Sequence, residues 1–447
     1  MTVPYVALDE ADLAGKTLIM RVDFNSPVAE MGGGLVLRDT TRIDDHLRTS
    51  IMPLFERPRP PRNLVLLAHQ GRPGRDDCTT LLPHVVYCRD KLRPKGIETA
   101  YVWEGSGDEA IRQMGEAAVA SDDVLARIRS LPERTVLVLE NVRFSEAESR
   151  VKGDQPAAFA HTPLIRMLAG VDNRIVALDG FSVGHRAQAS VVGLAALGPL
   201  YAGPVVMREI RQLSQALESP QAPMLLIVGG AKVDDSLGSL QVFLEQGKAD
   251  AVITGGLVGL VLLQAQGVRL NEQTETNLAA ASQDLPQALA KARALLDRFG
   301  GDRIRVPSDL ALGPQQGSAA QRAVLPVDRI DPHDPRHIGD IGLQTIARYT
   351  GDIVQANTLV MNGPMGRYEW PCFARGNEEI LRYAAYAAQV RNAHVLVGGG
   401  DTGASLGALP ADLVDYVKVC SSGKAFLEVL ATGTVESLIG VRMLARR

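Results

Sequence analysis

The sequence predicts an α/β fold, with two doubly wound parallel-sheet domains facing each other across a hinged cleft. Three observations predict it. The chain has 447 residues, too many for one ordinary hydrophobic core. Eleven short apolar runs recur, each of about four to six residues, with amphipathic stretches between many of them. A Gly- and Pro-containing segment, "LGPLYAGPVVMREIRQLSQALESPQAP", separates five of these runs from the other six.

The first five runs are "TLIMRVDF", "LVLLAH", "TAYVW", "TVLVLEN" and "RIVALDG". The remaining six are "MLLIVGG", "AVITGG", "IRVPSD", "TLVMNG", "HVLVGGG" and "YVKVCSS". Each is too short for a buried helix and suits a strand covered on both faces. Stretches such as "GSLQVFLEQGKAD" and "EEILRYAAYAAQVRN" supply the covering helices. The expected boundaries are 1–200 for the N-terminal domain, 201–220 for an interdomain helix and 221–425 for the C-terminal domain. Residues 426–447 are expected as a tail packing back near the hinge.

Bulk properties narrow the function. The chain is 46% hydrophobic and 22% charged, ordinary for a globular protein, with no apolar run long enough for a membrane span. Net charge is −4, which argues against nucleic acid as a partner. The four cysteines are scattered and form no CxxC pair, and the N-terminus lacks a secretory pattern. A cytoplasmic location and a monomer are the expectations.

Open parallel sheets bind ligands beyond the carboxyl ends of their strands. In the first half those positions hold Asp23, Asn25, His69, Arg72, Arg143, Asp179, His185 and Arg186, with Arg21 and Arg42 close by. Arginine grips phosphate or carboxylate with paired donors, so this set points to an anion site. In the second half they hold Gly229, Gly230 and Lys232, then Gly255, Gly256, Asp309, Asn362 and Gly363. "MLLIVGGAKVDDS" ends a buried run on a glycine turn carrying one lysine, a means of holding an anion with backbone N–H groups and a point charge. "VGGGDTGASLG" matches GxGxxG through Gly398, Gly400 and Gly403. Asp401 inside that turn would repel a bare pyrophosphate and suits a Mg²⁺–nucleotide instead. No GxxxxGK[ST] loop occurs. In "MNGPMGRYEWPCF", Glu369 is a polar group for a ribose or base, and a loop packing Tyr368 and Trp370 is the plainer alternative.

Together "RVDFNSPV", "AHQGRPG", "LENVRF", "DGFSVGHRAQAS", "GGAKVDDS", "NGPMGRYE" and "GGGDT" resemble, in this order, the signature segments of the phosphoglycerate kinases, closest to the archaeal branch. The resemblance implies reversible phosphoryl transfer between 1,3-bisphosphoglycerate and ADP, giving 3-phosphoglycerate and ATP, with Mg²⁺ on the nucleotide. It implies that Asp23, Asn25, Arg42, His69, Arg72, Arg143 and Arg186 bind 3-phosphoglycerate. It implies nucleotide contacts from Gly230, Lys232, Gly255, Asn362, Glu369, Gly398, Gly399, Gly400, Asp401 and Thr402, with Asp401 at the metal. Arg42, Lys232 and Gly423 would act on the phosphoryl group in transfer. Three departures stand out: Ser236 where the common form has a second lysine, Leu178 in "LDGF", and Ser422-Gly423-Lys424 in place of a glycine triplet. They keep in view a paralogue acting on another carboxylate, or a non-catalytic nucleotide binder.

Overall fold

The computed structural model describes residues 3–31, 34–399, 405–420 and 422–447. The chain divides into two compact units, Met1–Arg211 with Glu436–Arg447, and Gln212–Val435.

The first unit is built on a six-stranded sheet. Its strands are β1 (Thr17–Arg21), β4 (Asn63–Leu67), β5 (Glu98–Tyr101), β6 (Thr135–Val138), β7 (Arg174–Leu178) and β8 (Leu200–Ala202), in the order β5-β6-β4-β1-β7-β8. All pairings are parallel. Every residue of β1, β4 and β6 is buried, which explains why they read as unbroken apolar runs rather than alternating ones. Register places Arg21 beside Leu67 and Leu178, so the loops carrying Asp23, His69 and Asp179 leave the sheet at one end. The sequence reading missed an antiparallel pair, β2 (Val28–Met31) and β3 (Gly34–Leu37), and the three-residue β8.

The second unit carries β9 (Met224–Val228), β10 (Ala251–Thr254), β11 (Ile304–Arg305), β15 (Thr358–Asn362), β16 (His394–Gly398) and β17 (Lys418–Cys420), in the order β11-β10-β9-β15-β16-β17. Asn362 lies beside both Val228 and Gly398, so the turns after β9, β15 and β16 share one end of this sheet. A separate antiparallel sheet joins β12 (Asp309–Gly313), β13 (Ala323–Pro326) and β14 (His337–Ile341). It corrects the expectation for "IRVPSD". Pro307 has no N–H for a ladder, so β11 stops at Arg305 and Asp309 opens β12 instead of ending a strand. Asp309 is buried and its carboxylate accepts from Gln344 N (3.0 Å) and Thr345 N (2.8 Å), capping the helix Leu343–Gln355 rather than facing a ligand.

Helices cover the sheets as their periodicity demands. In Arg375–Arg391 the buried residues Ile380, Leu381, Ala384, Ala385 and Ala388 repeat at helical spacing, and Asn392 ends the helix at φ +59°. The segment expected as an interdomain helix holds Pro204–Leu213, continued by a wider turn over Ser214–Glu218. The segment expected as a tail divides. The helix Gly423–Thr432 is part of the second unit, whereas Glu436–Arg447 belongs to the first, where Ala445 N donates to Leu200 O (2.8 Å) and Arg447 N to Pro4 O (3.0 Å). Among the described residues no helix is long and apolar enough to cross a membrane.

Candidate active site

In the first unit, side-chain amides lace together the loops that leave the sheet. Asn25 Oδ1 accepts from Gly71 N (2.8 Å), Gln70 Oε1 accepts from Ser26 N (3.0 Å), and Asn141 Oδ1 accepts from Gln70 N (3.2 Å) and Arg143 N (3.1 Å). Gly71 must be glycine: its φ is +66°, and a Cβ there would lie 2.0 Å from Asp77 O. These bonds fix where Arg72 and Arg143 start. Neither side chain has a hydrogen bond or ion pair among the described residues, which leaves both able to take an anion.

Asp23 organises the rest. Its carboxylate accepts from Arg42 Nη1 (2.7 Å), Ser182 Oγ and Asn25 N (3.2 Å). Burial opposes its ionisation, but the Arg42 charge first and the Ser182 hydrogen bond with it outweigh burial and hold the carboxyl far below the usual 3.8. Arg186 sits close enough to Arg72 and Arg42 to feel their repulsion, and burial is the main force lowering its pKa. Four arginines, Arg42, Arg72, Arg143 and Arg186, thus gather at one sheet end, and Asp23 is the carboxylate that pairs with one of them.

Arg21 does not join them. It is wholly buried, and its donors go inward: Nε to Ser190 Oγ (2.8 Å), Nη1 to Val22 O and Leu67 O, and Nη2 to His69 Nδ1 (3.1 Å). Its place at a strand end marks it as an anion ligand on sequence grounds; the hydrogen bonds exclude that. Burial, with the Arg21 charge adding to it, pushes the His69 imidazole down to about 3.

In the second unit a cavity of about 140 Å³ is lined by Gly230, Lys232, Ser236, Asn362, Gly398, Gly399 and Gly423, among others. A larger one of about 420 Å³ shares Gly230, Ala231 and Pro364 with it and is lined by Gly256, Leu257, Pro307, Met365, Arg367, Glu369 and Trp370. A charged chamber adjoining an apolar slot suits a ligand with a polyanionic end and a flat apolar end.

The glycines here serve close approach. Gly230 N donates to Pro364 O (2.7 Å), Gly229 N to Asn362 O (2.8 Å) and Gly256 N to Met365 O (2.7 Å). These N–H groups are therefore not donors for an anion, contrary to the expectation for the glycine turn. Gly255 N donates to Val228 O (3.0 Å), and it is Gly256, not Gly255, that lines the larger cavity. Lys232 is exposed and precedes the helix Val233–Glu245, whose first-turn N–H groups face the same end. Gly423 opens the helix Gly423–Thr432, where buried Ser422 accepts from Ala425 N (3.2 Å) and so replaces a glycine as cap. Lys424 is exposed and is not among the cavity-lining residues. Gly400, Asp401 and Thr402 lie outside the described residues.

Sequence reasoning missed His46 and Ser50, which brace Asp23 and Asp179. His46 Nδ1 meets Asp179 Oδ2 (2.9 Å) while its Nε2 accepts from Asp23 N (3.1 Å), and Ser50 Oγ donates to the same Asp179 oxygen (2.6 Å). Helical spacing offers the signal: His46 and Ser50 follow Arg42 at four-residue steps.

The family model described as phosphoglycerate kinase matches residues 8–433. Phosphoglycerate kinase 2 of Methanosarcina acetivorans is 33% identical over 440 residues, covering 98% of this chain and 95% of the relative. The phosphoglycerate kinase of Methanothermobacter thermautotrophicus is 34% identical over 440 residues, covering 98% and 96%. Among solved structures, that of phosphoglycerate kinase from Pyrococcus horikoshii OT3 superposes with a TM-score of 0.80 at 28% identity, covering 98% of each chain. With its two parallel-sheet units, the chain belongs to the phosphoglycerate kinase family.

Proposed function

We propose that the chain transfers a phosphoryl group reversibly between 1,3-bisphosphoglycerate and ADP, with 3-phosphoglycerate bound by the first unit and the nucleotide by the second. One observation carries this reading. Arg42, Arg72, Arg143 and Arg186 gather where, among the described residues, Asp23 is the one carboxylate in an ion pair with them, an excess of positive charge that calls for a substrate with several negative charges. A carboxylate lacking a distal phosphate would leave these cations unmatched, which argues against a kinase for a simpler acid. Retention of Lys232 and Arg42 argues against a non-catalytic nucleotide binder.

The chemistry asks the protein for position and charge. Asp23 anchors Arg42 so that a second guanidinium edge can face the transferring group. Lys232 and the N-terminus of Gly423–Thr432 border the small cavity, where they would meet the phosphate oxygens as charge develops. Asn362, Gly398 and Gly399 line it from the strand ends, and Glu369 lines the slot at its rim, in reach of a ribose.

The described residues around the small cavity include no carboxylate, and the amide of Asn362 is the one side-chain oxygen there besides Ser236. That donor set suits a cation that arrives on phosphate oxygens and takes few protein ligands, as Mg²⁺ does. Asp401 is the residue proposed to hold it. Bound Mg²⁺ would supply charge neutralisation on the nucleotide phosphates. Transfer needs both substrates together and away from water, so closure on the bound substrates is part of the proposal.

Calorimetry of MgADP binding tests the nucleotide half. Asp401→Ala should remove most of the Mg²⁺ dependence of ADP affinity. An unchanged dependence would place the ion elsewhere.

A further inference from the structure

From the hydrogen-bond directions around Arg21 we infer that it is a positioning residue, one that locks His69 as the neutral tautomer with its proton on Nε2 and so turns that N–H toward the substrate site. The inference rests on the 3-phosphoglycerate site proposed above.

A guanidinium has donors only. Arg21 Nη2 lies 3.1 Å from His69 Nδ1, so Nδ1 must accept and carries no proton. The imidazole proton is then on Nε2, which has no hydrogen-bond partner among the described residues. Protonating the ring would place two donors face to face.

The guanidinium cannot turn away. Its Nε donates to Ser190 Oγ at 2.8 Å, and its Nη1 to the carbonyls of Val22 and Leu67. Ser190 is fixed in turn by Glu148, whose carboxyl accepts from Ser190 Oγ (2.6 Å) and Ser190 N (2.9 Å). With the hydroxyl hydrogen on Glu148, the serine lone pair faces Arg21. The chain from Glu148 to His69 therefore has a single direction, and all four residues are buried. Asp23, Arg42 and Arg186 are the other charged groups that act on His69.

His46 provides the contrast. Its Nε2 accepts from Asp23 N at 3.1 Å, so its proton is on Nδ1 and donates to Asp179 at 2.9 Å. Two histidines near Asp23 are thus held in opposite tautomers by partners that admit only one role each.

The test is nitrogen NMR of the full chain with labelled histidine, assigned with a His69 variant. The inference expects His69 as the neutral Nε2–H form throughout pH 6 to 8. An Nδ1–H tautomer, or an imidazolium signal appearing in that range, overturns it. Arg21→Met should release the ring, so that the Nδ1–H tautomer of His69 appears beside the Nε2–H form while burial still keeps the ring neutral. KM for 3-phosphoglycerate should then rise about tenfold, with kcat less affected. A folded Arg21→Met whose His69 still shows only the Nε2–H form overturns the positioning role. Should this variant fail to fold, His69→Gln and His69→Asn still decide. A glutamine amide can reach the Nε2 position and should keep KM for 3-phosphoglycerate within about threefold, while asparagine should raise it about tenfold or more. The opposite order overturns the inference. No loss in either, with the wild-type Nε2–H signal present, would instead contradict His69 as a substrate ligand, which separates this inference from the site proposal beneath it.

Discussion

Arg42 Nη1 lies 2.7 Å from Asp23 Oδ2, in a pair where the arginine side chain keeps 38% of its exposure and the aspartate only 6%. The aspartate is the anchor and the arginine is the presented group. Arg42→Ala should therefore remove charge that acts in the transition state, lowering kcat about 100-fold with a smaller change in KM. Steady-state kinetics with 3-phosphoglycerate and MgATP checks this, and a kcat near the wild-type value would take Arg42 out of the mechanism.

The same pair sets a pH dependence of stability. Asp23 is held below its ordinary value of 3.8, so it favours the folded state above that value, and the contribution is lost as the pH falls through the folded pKa. Asp23→Asn should lower Tm at pH 7, and the difference should shrink as the pH falls below about 4. A gap that widens in acid would contradict the ionised, paired state.

Gly363→Ala should loosen the nucleotide half alone. Gly363 has φ +84°, and a Cβ there would meet Gly229 O at 2.4 Å. The turns after β9 and β15 would have to part, at a cost of about 1–3 kcal/mol. ADP affinity should fall at least about fivefold while 3-phosphoglycerate binding is unchanged, as separate titrations would show.

Much of this was legible in the sequence. All eleven apolar runs contain strands, because a strand covered on both faces is apolar without interruption. The missed strands β2, β3 and β12–β14 are antiparallel and partly outside the main cores, and β8 is held by pairing with β7 rather than by its own apolar content. Strand ends pointed to the arginine cluster and the glycine turns that make up the candidate site, because parallel sheets open their ligand-binding loops there. What they do not carry is direction. Arg21 and Arg42 are alike in sequence, yet one points its donors into the core and the other into a half-buried pair at the surface edge. Gly230 reads as an anion turn, but its N–H is held by Pro364, more than a hundred residues away. Such partners are distant in the chain, so no local pattern reports them.

Asp340→Asn should expose the support beneath the nucleotide loop. Buried Asp340 pairs with Arg322 at 2.7 Å and accepts from Gly376 N at 2.7 Å, while Arg367 N donates to Gly339 O at 2.8 Å. Burial raises the Asp340 carboxyl to about 6 against the pull of Arg322. Removing its charge leaves Arg322 nearly buried and unmatched, a loss of about 3 kcal/mol. Chemical denaturation would measure it, and a loss below about 1 kcal/mol would mean that the pair is dispensable.

Lys232→Ala and Lys424→Gly should differ sharply. Lys232 lines the small cavity, whereas Lys424 is exposed and does not. The first substitution should lower kcat about 100-fold or more, and the second should leave kcat/KM for ATP within about twofold. A tenfold loss in Lys424→Gly would show that its ammonium reaches the phosphates.

The most direct measurement is a coupled assay of the purified chain with MgATP and 3-phosphoglycerate, run beside glycerate and acetate. If the gathered arginines select a phosphorylated acid, kcat/KM for 3-phosphoglycerate should exceed that for either simpler acid by at least about 1,000-fold. Comparable turnover of glycerate, or no turnover of 3-phosphoglycerate, would contradict the account.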